Sequence, residues 1–207
     1  MQFQGSEVSY IQFIAPALIS ISIMYNAFFE NTYASFVRMY YQKTYDAMLA
    51  TPLSLEEIMI GEIVWAAIKS SVATAIMMGV ISLFGLIAYP EGFLILPLAF
   101  LGGLGFGSIG LFFTSIIPSI EMFNLPIFLF VTPMFLFSGT FFPLENLPGW
   151  AQKFAFFFPL THVVRLTRFL SFGLVTYDLV WDLVYLFVFA IVFLPLAIVK
   201  MHRRLVK

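Results

Sequence analysis

Two histidines, His162 and His202, and no cysteine are the obvious candidates for metal ligation or base catalysis in this 207-residue chain. A zinc site gathers several histidine, cysteine or carboxylate ligands, and a catalytic triad sets a base beside its nucleophile. No second histidine lies near either one along the chain, so neither has the partners of a metal site or a triad. His202 stands in a basic tail, where solvation is expected, and His162 reads as a satisfied interfacial histidine. The run GFGSIG, Gly105 to Gly110, fits the G-x-G-x-x-G spacing, but a dinucleotide loop follows a strand inside a βαβ frame. Its flanks are long apolar stretches. Gly102, Gly103, Gly105, Gly107 and Gly110 therefore read as small residues that let helices approach closely. The phosphate-cradling pattern G-x-x-x-x-G-K-[ST] does not occur, so this chain brings no such ATP-hydrolysing loop of its own.

The elements around these residues are membrane helices. Hydrophobic residues make up 61% of the chain, charged ones 10%, and mean hydropathy is +0.99; a soluble domain carries about 25% charged residues. The 27 phenylalanines suit lipid-facing and interfacial surfaces. A net charge of -1 supplies no basic field for a nucleic-acid partner. Five windows approach the roughly 20 apolar residues that a bilayer core demands: 11–29, 63–88, 93–117, 123–143 and 180–199. Prolines 16, 126 and 133 fall within them, as membrane helices tolerate. Lys69 in the second window either snorkels to the interface or contacts cargo inside the membrane, and no intramembrane counter-charge for it is evident.

Basic residues set the orientation. Arg38, Lys43, Lys200, Arg203, Arg204 and Lys207 lie on one side, and Lys153, Arg165 and Arg168 on the other. The carboxyl-terminal side is therefore expected to be cytoplasmic and the 144–179 segment external. Five spans then start outside, although MQFQGSEVSY lacks the basic region of a signal peptide. That awkward start leads to the expectation that the chain lacks an earlier span.

The 30–62 segment is too polar for lipid and too patterned for a plain linker. Phe36, Met39, Tyr40 and Lys43, then Tyr45, Met48 and Leu49, form an apolar stripe predicting a helix across the cytoplasmic face. Thr51 precedes Pro52, so the helix should end there. Ser54 opens a capping box with Glu57, starting a rod of roughly 50 Å that runs to about Ile87. Glu56, Glu57 and Glu62 are expected in water. A soluble partner pushing on the short helix would tilt the rod; an ordinary interfacial loop is the plainer alternative.

FSGTFFPLENLPGW, with Gly139 and Pro143, leads out of the fourth window. Asn146 is expected to cap a helix whose first turn holds Pro148. Trp150, Phe154, Phe157 and Phe158 would form one face, with Gln152 and Lys153 opposite, and Pro159 would end it. Thr161 would cap a second helix, with Val163, Leu166 and Leu170 on one face and Arg165 and Arg168 on another, closed by Gly173. Both are too short to span. They either rest on the outer leaflet or gate an exit path with their arginines toward polar or anionic cargo.

FFENTYASFVRMYYQKTYDAMLATPLSLEEIMIGEIVWA, together with FLFSGTFFPLENLPGWAQKFAFFFPLTHVVRLTR, resembles the type-2 ATP-binding-cassette exporter permeases, nearest the nodulation-factor and daunorubicin-resistance branch. The likeness runs from Phe13 onward. It implies an all-α polytopic membrane protein, a single transmembrane domain over 1–207 whose five helices match family spans two to six. The family's first span would be missing, so the chain would be truncated relative to it. It further implies a cytoplasmic coupling helix over 42–54, which seats in an ATPase cleft; Arg38, Lys43, Thr44, Asp46, Leu49, Pro52, Ser54 and Glu57 are the candidate coupling residues. An external re-entrant hairpin would involve Gly139, Pro143, Asn146, Pro148, Trp150, Pro159, His162, Arg165 and Arg168. The implied function is the permease subunit of an exporter for lipo-oligosaccharides, polysaccharides or amphipathic drugs, in a bacterial-type inner membrane. Its implied partners are two ATPase subunits, which use ATP and Mg, a second permease copy, and lipid. This chain would bind no cofactor and would not itself be an enzyme. An ion-coupled secondary transporter and a non-transporting scaffold are the alternatives.

Overall fold

A computed structural model describes residues 2–3 and 6–205; Lys207, counted above for orientation, lies outside them. Beyond a two-residue antiparallel ladder near the amino terminus, the architecture is helical. Five helices are long and apolar enough to cross a bilayer: α1 (Tyr10–Tyr41), α3 (Leu55–Leu83), α4 (Glu91–Ile116), α5 (Ile120–Phe137) and α8 (Leu179–Leu205). Three short helices complete the chain: α2 (Thr44–Leu49), α6 (Gly149–Ala155) and α7 (Pro159–Ser171).

Helix α4 is the hub, packed on α1, α3 and α8, and its glycines explain why. A Cβ on Gly103 would come 2.7 Å from the Ala67 Cα in α3, and one on Gly110 would come 2.8 Å from the Phe28 carbonyl in α1. One on Gly105 would come 2.8 Å from the Phe189 ring in α8. These approaches, two to backbone and one to a ring, leave no room for a side chain, as the small-residue reading of the GFGSIG region requires. Buried polar side chains then bond across the interfaces. Ser70 donates to the Ile23 carbonyl (3.0 Å), Asn31 to the Gly107 carbonyl (3.0 Å) and Thr114 to the Asn31 carbonyl (2.7 Å).

The first departure from expectation is α1. It does not stop near Phe29 but continues to Tyr41, with two wider π-helical turns at Glu30–Ala34 and Val37–Tyr41. No glycine or proline interrupts 30–42, and Glu30, Asn31, Ser35 and Arg38 there find partners on α3 and α4. Only Thr44–Leu49 remains as a separate short helix. Lys43 makes the corner between them in the left-handed conformation (φ 55°). The Ser54 capping box forms in both directions: Glu57 N–H donates to Ser54 Oγ at 3.3 Å, and Ser54 N–H to Glu57 Oε2 at 2.8 Å. The rod ends at Leu83 rather than near Ile87.

The hairpin differs more. Leu147 is extended (ψ 151°), as a residue before proline prefers, so no helix can start at Asn146. Asn146 instead ends a single 3₁₀ turn, and Pro148 occupies the N-cap position of α6 without a side-chain acceptor. Pro159 opens α7 at its first position, where its missing N–H costs nothing, rather than terminating α6, which has already stopped at Ala155. Thr161 therefore lies inside α7 and donates to the Ala155 carbonyl (2.6 Å), closing the turn between the two helices. Gly173 does follow α7 in the left-handed conformation (φ 69°).

Candidate functional site

Charged side chains collect at both ends of the bundle. At the α2 end, Glu30 and Arg38 sit two turns apart on α1, facing Glu62 and Lys69, which are two turns apart on α3. Arg38 reaches Glu30 Oε1 at 3.0 Å and Glu62 Oε2 at 2.5 Å, while Lys69 reaches Glu30 Oε2 at 2.5 Å. Ser35 donates to Glu62 Oε2 at 2.7 Å. Glu30 is buried at 6% exposure, a position that an ionised carboxylate holds only when paired. Glu30 is thus the counter-charge for Lys69 that was not evident in the sequence, and Glu62 is drawn into the network rather than standing in water. Both corrections have one origin: continuing α1 past Phe29 carries Glu30 and Arg38 alongside α3.

Tyr45 links this network to α2. It is fully buried, and burial, together with the Glu62 charge, pushes its phenol above the ordinary tyrosine range. Phe36, Met39, Leu55, Ile58 and Met59 pack around it. The rest of α2 faces outward: Asp46 is exposed, Thr44 and Leu49 are half-buried, and Pro52, Ser54 and Glu57 lie exposed beyond it. Lys43 and Asp46 approach to 3.8 Å, both largely solvated. Beside the network a shallow cavity of about 390 Å³ is lined by Tyr25, Asn26, Phe29, Glu30, Tyr33, Ala34 and Lys69.

At the other end α7 is buried everywhere but Arg165. It does not lie on a leaflet, and its arginines do not form an outer polar face. Arg168 points inward: Nε donates to the Phe13 carbonyl (3.3 Å), Nη2 to the Gly139 carbonyl (2.9 Å), and the guanidinium lies 3.7 Å from the Phe13 ring centroid. Burial draws its pKa down to about 10, so the group stays charged at neutral pH. Arg165 and His162 both turn to Asp182 at the start of α8, with Arg165 Nη1 donating at 3.1 Å and His162 Nδ1 at 2.5 Å. His162 Nε2 lies 2.9 Å from the Phe156 carbonyl, and its ring stacks on Tyr185 at 3.9 Å.

The carboxylate partner of His162 comes from twenty residues downstream, and Asp182 was missed. The one available signal was an acid at the mouth of an apolar window. On α6, Trp150 and Phe154 share the Phe137 ring as a neighbour, and Phe158 packs on Phe154. Ala151 and Ala155 pack inward, while Trp150, Phe154 and Phe157 are exposed and Phe158 is buried. Gly139 takes φ 71° against Leu144, and Pro143 and Asn146 flank the turn that follows. Among the described residues no three His, Asp or Glu side chains gather as a metal site requires.

A multi-pass helical bundle with a charged corner between two spans and a helical hairpin folded onto the opposite end is the build of a membrane permease. Residues 2–172 match the family model described as ABC-2 type transporter, and the chain belongs to that family. It is 35% identical over 161 residues to nodulation protein J of Sinorhizobium fredii, covering 78% of this chain and 62% of that protein. The corresponding protein of Rhizobium leguminosarum bv. trifolii is 35% identical over 200 residues, 97% of this chain and 76% of that one. A probable multidrug ABC transporter permease of Escherichia coli, YbhR, is 27% identical over 180 residues, 84% of this chain and 48% of its own length. The chain thus spans about three-fifths of the length of the first of these relatives. No solved structure matches it significantly.

Proposed function

We propose that this chain is the membrane-spanning permease subunit of an ATP-driven exporter. Two copies pair with two ATPase subunits, which bind and hydrolyse ATP with Mg; the permease itself binds no cofactor. The observation that carries this reading is the α2 corner. A short, outward-facing helix is anchored through buried Tyr45 beside the Arg38–Glu62 and Lys69–Glu30 pairs, which join α1 to α3. A push on α2 therefore reaches two spans at once. The basic residues at this end support a cytoplasmic α2 and carboxyl terminus in a bacterial-type inner membrane, which leaves α6 and α7 at the external exit. The cargo class is amphipathic: a lipo-oligosaccharide, a polysaccharide intermediate or a drug-like molecule.

Co-purification with the ATPase subunit co-expressed from the same operon tests this. The complex is expected to form, and charge reversal at Lys43 and Asp46 is expected to weaken it at least several-fold. An ATPase that fails to bind, or binds indifferently to both reversals, overturns the coupling role. The Glu30–Lys69 pair favours one second reading, an ion-coupled transporter, since such proteins hold paired charges within the membrane. Transport that needs an ion gradient, ignores ATP and is lost in Glu30→Gln would select that reading.

A further inference from the structure

A second cavity, of about 410 Å³, opens at the α2 end between the last turn of α4 and the last turns of α8, lined by Ser115, Ile116, Pro118, Lys200, Arg203 and Arg204. Half of its lining is cationic, and none of the described lining residues is acidic. Arg204 is already engaged. It donates to the Thr114 carbonyl and, at 2.7 Å, to the Ile117 carbonyl, with its guanidinium 5.7 Å from the Phe36 ring. It thereby fastens α8 to the end of α4. Lys200 and Arg203 are exposed and enter none of the ion pairs among the described residues. Glu121, on the neighbouring turn, is exposed and does not line the cavity.

The depth of this cluster identifies what it faces. Lys200 lies 21 residues beyond Leu179, the first residue of α8; at 1.5 Å per residue that is roughly 31 Å, one bilayer core. The cations therefore stand at headgroup level while Ile116 and Val199, both exposed, face the acyl region. We infer that this pocket seats the phosphate of an anionic phospholipid, with its chains lying along α4 and α8. A zwitterionic headgroup brings its own ammonium into the same cationic ring and is disfavoured. The inference depends on helix geometry and charge, and stands whether or not the chain exports anything.

The test uses the full chain purified in neutral detergent and titrated with phosphatidylglycerol or phosphatidylcholine, read by native mass spectrometry. Phosphatidylglycerol is expected to bind preferentially. The double variant Lys200→Gln/Arg203→Gln, which spares Arg204, should weaken that binding roughly 25-fold, about fivefold per basic residue, with the melting temperature unchanged. Equal binding of phosphatidylcholine, or full retention of phosphatidylglycerol by the double variant, overturns the assignment. Displacement of the lipid by millimolar inorganic phosphate would make this an ion site instead. Loss of ATPase association with lipid binding intact would make it a protein-docking surface. Either of these results overturns it too.

Discussion

The two ends of the bundle bury charge in opposite ways. At the α2 end four side chains pair with one another, and two of them are partly exposed: the Lys69 side chain is 51% exposed and that of Arg38 is 23% exposed. At the hairpin end Arg168 is 5% exposed and is held by two backbone carbonyls and an aromatic face. An ion pair between flexible side chains can re-form after a shift of one helix against the other. A guanidinium nested among fixed carbonyls has one arrangement. Wide π-helical turns, often found at functional sites, occur in α1 beside the first network. By this geometry the pairs at the α2 end can exchange partners, whereas at the hairpin end α7 is tied to α1 through Arg168 and to α8 through Asp182; a further π-helical turn lies within α5 at Ile127–Val131.

The largest effect should come from breaking the fixed end. Arg168→Met removes the donors to Phe13 and Gly139 and is expected to cost about 3 kcal/mol, read as a fall in melting temperature in detergent. Arg168→Lys should recover less than half of it, because an ammonium cannot bond both carbonyls while lying flat on a ring. A lysine variant as stable as the parent would make this end as interchangeable as the other. The next effect is at the α2 end. Arg38→Glu should cost about 2 kcal/mol, and adding Glu62→Arg should restore at least half, a coupling of about 1–3 kcal/mol in a double-mutant cycle. An absent rescue would mean that the α2 end is fixed as well.

How far the sequence carried follows the same division. Apolar run length marked all five spans, because burial in lipid is a property of composition and the required length is set by the bilayer. The Ser54 capping box and the Gly173 stop were legible because both are local, decided within four residues. The glycines of α4 were legible because only small residues let backbones touch. What was not legible is pairing at a distance. Glu30 with Lys69, and His162 with Asp182, depend on which helices become neighbours, and a single chain read along its length carries no record of that. The caps proposed at Asn146 and Thr161 failed for a local reason: prolines 148 and 159 set the helix starts before any polar side chain could.

The turn at Gly139, whose carbonyl Arg168 grips, belongs to the fixed end. Gly139→Ala would place a Cβ 2.8 Å from the Leu144 side chain at φ 71°, a conformation that alanine rarely adopts. A loss of about 1–2 kcal/mol is expected; on the exporter reading proposed above, export is impaired while ATPase association is retained. Measuring both in the same preparation sharpens the comparison. If association falls along with export, the hairpin turn is part of assembly and the two ends are not independent.

The smallest effect on stability should belong to the corner itself, where function should change most. Lys43 holds φ 55° without a glycine's freedom, and its pair with Asp46 is long at 3.8 Å and solvated on both sides, so the pair contributes little. Lys43→Gly relieves the left-handed backbone but adds freedom to the unfolded chain, and these offset to within about 0.5 kcal/mol. The melting temperature should barely move. If the ATPase reads the Lys43 charge, association should nevertheless fall several-fold, separating recognition from folding in one substitution. If association is unchanged while Lys43→Glu disrupts it, the corner tolerates a missing charge but not an opposing one. Recognition then rests on Asp46 and the exposed face of α2.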